Sequence, residues 1–463
     1  MLAKTLACLV TMGLVMGVAR VVSAGQASTP ADGTTSLHEA AHVDDIPAMT
    51  RLIAAGADAR AANRYGVTPL WLACLNGSAT AIELLLKAGA DANAVLPGGE
   101  TVLMTAARTG KADAVNVLLQ HGASVNAKEG WRGQTALMWA AAEGHAEVIK
   151  ALVARGADVH ARSNGGFTAL LFAAREGQIA ASKALLAAGA NVNDAIPSTT
   201  PIDEPAPEEP TSAPPEAGLN VFLLATANAH FELAAWLLDE GAAPNTAPSG
   251  WTALHQISWV RKMGIAGSND PAPPGSGNMT SLDFVRRLVA KGADVNARAT
   301  KRPQMGLTTL NSIGATPFLL AARTADFELM RLLVELGADP KLPNEDQTTP
   351  LMVAAGVGTQ NPGEDPGTEP EVLEAVKIAL ELGNDLNAVD NNGETAMHGA
   401  ALKHAPSVVR YLAERGARMD VWNRPDKHGW TPLKIAEGVQ RGMNIISSPA
   451  TEAAIREVMK SGR

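Results

Sequence analysis

Cysteine is almost missing from this chain: of its 463 residues only Cys8 and Cys74 carry a thiol. Cys8 lies in the extreme N-terminal stretch and Cys74 stands alone, which excludes a disulfide within a processed chain and a cysteine zinc cluster. Aromatic residues are scarce too, at 4% of the total, too thin a supply for the several independent globular cores this length would otherwise hold. An excess of positive charge is absent. The formal net charge is -9, and an acidic surface repels phosphate, which argues against a nucleic acid partner. Nor is there a long apolar run: Thr5 to Ala19 is uncharged, but Arg20 interrupts it short of the roughly 20 residues a membrane span needs. With Lys4 before it and the small residues Val22-Ser23-Ala24 after it, the segment reads as a cleaved export signal, residues 1–24, followed by a short linker, residues 25–34. Cleavage removes Lys4 and Arg20 and no acid, taking the formal charge from -9 to -11 and leaving no membrane span.

What the chain does have is a period. Thr35-Ser36-Leu37-His38, Thr68-Pro69-Leu70, Thr101-Val102-Leu103, Thr135-Ala136-Leu137 and Thr168-Ala169-Leu170 recur at spacings of 33, 33, 34 and 33. After an interruption the phrase returns at Asn220, Thr252, Thr316, Thr349, Thr395 and Thr431, giving eleven units. Each feature has a physical task. Thr at the N-cap satisfies an orphaned amide of the first turn, and Pro at the first helical position loses no hydrogen bond there. In the stretch from Thr135 to Val159 the first helix ends near Gly144-His145, and Val148, Leu152 and Val153 form the apolar stripe of a second. Gly156 then supplies the left-handed conformation that closes it, as Gly56, Gly89, Gly122, Gly189, Gly241, Gly292, Gly337, Gly383 and Gly416 do in other units.

This period, the Thr-Pro-Leu-His-like start, the Gly-His turn and the Gly-Ala-Asp-Val-Asn finger resemble the ankyrin repeat family. The resemblance covers nearly all of residues 35–463. It implies an all-α fold, an ankyrin-repeat solenoid of about eleven helix-turn-helix units with β-hairpin-like fingers. One unit exposes too much apolar surface alone, and stacking its neighbours builds a continuous core.

Five insertions break the period. Residues 197–217 form a finger insertion rich in Pro and acid with no basic residue, and residues 299–314 form another that is basic at Lys301 and Arg302. Three more, at 264–281, 356–370 and 442–449, fall between the paired helices of the seventh, ninth and eleventh units, where the family's geometry implies that they gather along one rim. The acidic run Glu364, Asp365, Glu369 and Glu371 lacks the ligand spacing of a calcium loop and reads as a solvated surface loop.

Catalytic chemistry finds little support in the sequence. Of ten histidines, His38, His255 and His398 occupy the Thr-x-x-His position, where the resemblance implies a structural hydrogen bond. His145, His230 and His404 sit in inter-helix turns, His121 precedes a cap, and His42, His160 and His428 form no ligand pair at helical spacing. There is no glycine-rich phosphate loop and no nucleophile elbow. The sequence therefore points to no catalytic residue, no cofactor and no metal.

Tryptophan is the exception among the scarce aromatics, with eight Trp against two Tyr and seven Phe. Trp71, Trp139 and Trp236 lie at packing positions. Trp131, Trp251 and Trp430, with Tyr65 and Phe167, lie in fingers, while Trp259 falls seven residues after Thr252, on the inner face of its helix. Fingers and inner helices line the concave groove in the ankyrin family, so these six residues are candidate partner-binding anchors. The rival account is that a finger aromatic covers the apolar edge of its neighbour. The expected function is a non-catalytic, protein-binding scaffold, bacterial and exported to the periplasm or secreted, acting through the concave face. Alternatives are a self-associating structural array, and an accessory or inhibitor of a partner enzyme that uses an insertion loop.

Overall fold

The computed structural model describes residues 31–197, 218–262, 273–301, 308–363, 365–441 and 444–462. The expected export signal and most of the 197–217 insertion lie outside them. Eleven helix pairs follow one another, from Ser36–His42 with Ile46–Ala54 to Pro432–Glu437 with Pro449–Ser461. The only named strands among the described residues, Val439–Arg441 and Asn444–Ile446, pair antiparallel at the 442–449 insertion.

The first helix of each unit starts at its expected cap. Thr68 Oγ1 accepts the Trp71 amide at 3.1 Å with Pro69 in the first turn, and Thr101, Thr316 and Asn220 cap in the same way at 3.2, 3.1 and 2.9 Å. Helices this short do not persist alone in water, so packing must hold them. Leu37, Leu70, Leu103, Leu137 and Leu170 occupy the second helical position and are at most 1% exposed, each contributing roughly 1.5–3 kcal/mol. Three positions on, the pairs Ala106-Ala107, Ala140-Ala141 and Ala173-Ala174 are fully buried, and small side chains there let successive helices approach closely.

The histidines stitch units together. His38 Nδ1 accepts the Thr35 amide at 3.2 Å while Nε2 donates to Val67 O, in the next unit, at 2.9 Å. His255 and His398 repeat this with Ala315 O at 3.1 Å and Arg424 O at 3.0 Å. Burial pushes the His255 imidazole down to about 4 and lowers that of His398. In the inter-helix turns, His145 and His230 donate from Nε2 to Arg108 O and Arg175 O, each at 2.9 Å.

The fingers are tight turns, with few bridges. Asn63 N donates to Val67 O at 3.0 Å and Ser163 N to Phe167 O at 2.9 Å. An acid or amide at the entrance fastens several tips: the Glu129 carboxylate accepts the amides of Trp131, Arg132 and Gln134 at 2.6–2.9 Å. Neighbouring tips are linked by single main-chain bonds, including Asn164 N to Arg132 O at 2.8 Å and Asn391 N to Asp346 O at 2.9 Å.

The 299–314 insertion makes the two halves unequal. It leaves the finger row where Thr300 N donates to Gly250 O at 3.0 Å and rejoins it where Gly314 N donates to Ala299 O at 2.7 Å. Between these points Thr308 bridges Thr359 and its hydroxyl donates to Gly358 O at 2.9 Å. Gly358 follows the helix Pro350–Ala355, at the end remote from the fingers. Residues 308–314 therefore run back along the inner helices from that end to the fingers, where Asn311 Nδ2 donates to Asp346 Oδ1 at 3.0 Å.

Candidate functional site

The groove face of each inner helix is presented four and seven residues after the cap, and its exposure changes along the chain. In the first unit these positions, Glu39 and His42, are exposed; in the second Leu72 is half-buried and Leu75 is 39% exposed. In the third unit Thr105 is buried and Arg108 exposed, and in the fourth Trp139 and Ala142 are half-buried. In the eighth to tenth units the face is closed: Leu320, Arg323, Val353, Gly356 and Leu402 are all buried. The 299–314 insertion is one cover. Another is the approach of helix Ala396–Leu402, since a Cβ on Gly399 would stand 2.7 Å from Val357 N and 2.9 Å from Met352 O.

The six anchor candidates divide along the same line. Tyr65 and Trp131 are 54% and 61% exposed. Each carries a guanidinium on its ring, Arg64 at 4.6 Å and Arg132 at 4.3 Å from the centroid. Between these tips Arg108, from the third unit, stacks 5.1 Å above Trp139 of the fourth. Phe167 does not present a free face: it is buried against Phe172 at 5.2 Å, with Arg175 over both rings. Trp251 is buried too. It meets Trp259 at 4.6 Å, as their shared unit implies, but its indole N–H donates to Lys301 O at 2.8 Å, so the insertion main chain closes over the ring and the pair does not face an open groove. Trp259 is half-buried against the core. Trp430 is also half-buried; His428 stacks on it at 4.9 Å, and its carbonyl accepts from His398. The eighth tryptophan, Trp422, follows no periodic position, so the sequence carries no signal for its environment. It is 2% exposed on the short helix Met419–Trp422.

The C-terminal rim is fastened by buried charge. Arg323 Nη2 donates to Asp365 Oδ1 at 2.9 Å with side-chain exposures of 3% and 5%, so Asp365 is not part of a solvated acidic loop. The reading fails because the sequence pattern does not show that three cations converge there. Lys403 Nζ donates to the carbonyls of Asp365 and Pro366 at 3.1 and 2.8 Å, and Arg441 Nη1 to Leu402 O at 2.9 Å. Burial pushes Lys403 down to about 8 and Arg441 to about 10; burial and the Arg441 charge push His404 to about 4. Elsewhere on this rim Lys262 pairs with Glu371, across two units, which brings the margins of the 264–281 and 356–370 insertions together. At the fingers, burial together with the charges of Asp390 and Asp426 raises Glu394 to about 7.

Among the described residues no group of three or more His, Cys, Asp and Glu is placed to hold a metal ion, and no described helix is long and apolar enough to cross a membrane. Cys74 is buried and unpaired, and desolvation raises its thiol far above the ordinary range.

Comparison with known proteins returns the profile described as ankyrin repeats (3 copies) over residues 21–96, 37–129, 81–163, 127–196 and 369–445, and the single ankyrin repeat over residues 313–345. The chain is 32% identical to the human ankyrin repeat and SOCS box protein 16 over 251 residues, which is 48% of this chain and 48% of that protein. It is 29% identical to a putative ankyrin repeat protein of fowlpox virus over 34% of this chain and 40% of the viral one. With human protein fem-1 homolog A it shares 31% identity over 21% of this chain and 15% of that protein. The chain thus spans about half or less of the curated relatives it matches.

Proposed function

Starting from the fact that the chain belongs to the ankyrin repeat family, we propose that it is a non-catalytic protein-binding scaffold whose partner docks on the N-terminal half of the concave face. Ankyrin repeats suggest a protein partner, and the observation that carries the location is exposure. Tyr65 and Trp131 stand open at the finger tips beside inner helices that expose Leu75 and Arg108, whereas the same helical position is covered in the eighth to tenth units, at Arg323, Gly356 and Leu402. Large aromatic side chains at a rigid surface are the residues most often found to dominate binding energy. The accessory reading, in which an insertion loop enters a partner enzyme, draws less support. The described parts of two insertions are occupied with this chain's own rim, through Asn278 N to Glu232 Oε2 at 3.0 Å and through Asp365.

The proposal includes export. Lys4, the uncharged run to Ala19 and Val22-Ser23-Ala24 support a mature start at Gly25 and a working compartment in the periplasm or outside the cell. Intact-mass measurement of the native protein should give that start; a cytoplasmic species retaining Met1 overturns it. For docking, crosslinked capture from the native compartment should recover the partner with wild-type protein and lose it with Tyr65→Ala plus Trp131→Ala. Undiminished recovery by that double variant overturns the N-terminal location.

A further inference from the structure

Three arginines of the second to fourth units lack the ion pairs that arginines make elsewhere, at Arg162 with Asp194 and Arg175 with Glu176 as well as in the C-terminal units. In the C-terminal units Arg261 binds Asp326, Arg323 binds Asp365, Arg331 binds Glu374 and Arg456 binds Glu437 and Glu452. In the open half, Arg64, Arg108 and Arg132 are exposed, and among the described residues none makes an ion pair. Each guanidinium sits over an aromatic ring instead, and Arg64 also donates from Nη2 to the Tyr65 hydroxyl. The nearest acid to the Trp131 tip, Glu129, already receives three main-chain amides and offers the guanidinium groups nothing. Stacking on a ring restrains a guanidinium while leaving its N–H edge available for bidentate contact with a carboxylate.

We propose that the open half of the groove recognises an extended acidic polypeptide segment, its carboxylates paired with Arg64, Arg108 and Arg132 and its apolar side chains set against Tyr65, Trp131 and Trp139. The proposal rests on the docking site proposed above and names the chemistry of its partner. The spacing suits such a segment. Tyr65 and Trp131 introduce helices two units apart, and neighbouring helices pack about 10 Å apart, so the tips span roughly 20 Å, or about six residues of extended chain. The same half also carries acids, among them Glu39, Asp32 near Arg64, and Glu100, which accepts from Thr105 Oγ1 at 2.7 Å, so it is the three guanidinium groups without ion pairs, not a net local charge, that would orient an acidic ligand. Single-stranded nucleic acid also pairs cations with aromatic faces, but it needs a continuous positive track. Here the intervening finger tip, Leu96-Pro97-Gly98-Gly99, is uncharged.

The test uses the full chain and a fluorescein-labelled peptide of about a dozen residues in which Glu and Asp alternate with Leu and Gly, followed by anisotropy. Its lysine-for-acid counterpart and an oligothymidylate strand serve as competing probes. The acidic peptide should bind, and added salt should weaken it. Arg108→Gln with Arg132→Gln should weaken it about tenfold or more without changing helix content, and Arg418→Gln, in the C-terminal units, should leave it unaffected. The inference is overturned if the acidic peptide fails to bind, if the lysine peptide binds equally well, if the double glutamine variant binds like wild type, or if oligothymidylate is preferred. The two readings separate in capture of the native partner. Loss with Tyr65→Ala plus Trp131→Ala but not with the glutamine variant overturns the acidic segment alone, and loss with neither overturns both.

Discussion

The second and ninth units carry the same opening, Thr-Pro-Leu, at Thr68 and Thr349, yet their inner helices meet different surroundings. On the helix Pro69–Asn76, Leu75 is 39% exposed; on Pro350–Ala355 every residue is buried. The local instructions are nearly identical, a threonine cap and a proline in the first turn. The difference arises from outside the unit, where Thr308 and Leu310 arrive from the 299–314 insertion and Gly399 brings the next helix into contact. In a solenoid, then, the repeat determines the helix, and whether its groove face remains available depends on what the interruptions deliver to it.

If the C-terminal half is locked and the N-terminal half open, variants should separate the two. The largest effect is expected from Asp365→Ala, which leaves Arg323 buried without its carboxylate. Breaking a buried pair from one side costs about 3–5 kcal/mol, so chemical denaturation should show the C-terminal units melting well before the rest, with acidic-peptide binding retained in the interval. Trp251→Ala should follow at about 3 kcal/mol, the range for removing a buried Trp; loss of partner capture at unchanged melting would contradict its place beneath Lys301. Next comes Gly399→Val, where a side chain meets main-chain atoms under 3 Å away and overpacking costs about 1–3 kcal/mol. Its counterpart in the open half, Gly156→Val, has nothing within 4 Å of the new Cβ but holds φ at 86°, so the penalty is conformational, about 1–2 kcal/mol.

A further effect separates the halves by pH. Glu394 is raised to about 7 from 4.5 in the folded chain, so the folded state holds its proton more tightly, and stability falls as pH rises from about 4.5 through 7. Glu394→Gln should therefore stabilise the C-terminal units at pH 8 and give little gain at pH 5, as read by thermal melts at both values. The opposite order would contradict the burial of that carboxyl among Asp390 and Asp426. The smallest stability effect belongs to Trp131→Ala, expected within about 0.5 kcal/mol of wild type because the ring is 61% exposed. A large shift there would make Trp131 a packing residue and remove the main anchor of the open half.

The fold was legible because each unit states its own boundaries. The Thr caps, the alanine pairs and the left-handed glycines act within a few residues of where they are written. The site was legible only where its environment is equally local. Tyr65 and Trp131 sit at tips shaped by Asn63 and Glu129, two residues away in sequence, and could be read as finger aromatics. Trp251 could not be read as covered, because its cover is Lys301, fifty positions on and in a segment with no period. The Asp365 cluster escaped for the same reason: Arg323, Lys403 and Arg441 come from three different units, and an acidic loop looks solvated until its counter-charges are placed.

The stack of Arg108 on Trp139 joins two neighbouring units by a contact without hydrogen bonds, at 5.1 Å, on the side of the helices where a change in superhelical curvature is felt most. Flattening the solenoid would draw the guanidinium off the indole, and tightening it would press the two together. A change in curvature would therefore alter the surroundings of Trp139, and in a chain whose other seven tryptophans are replaced by Phe its emission would distinguish a surface that bends to its occupant from one that stays rigid.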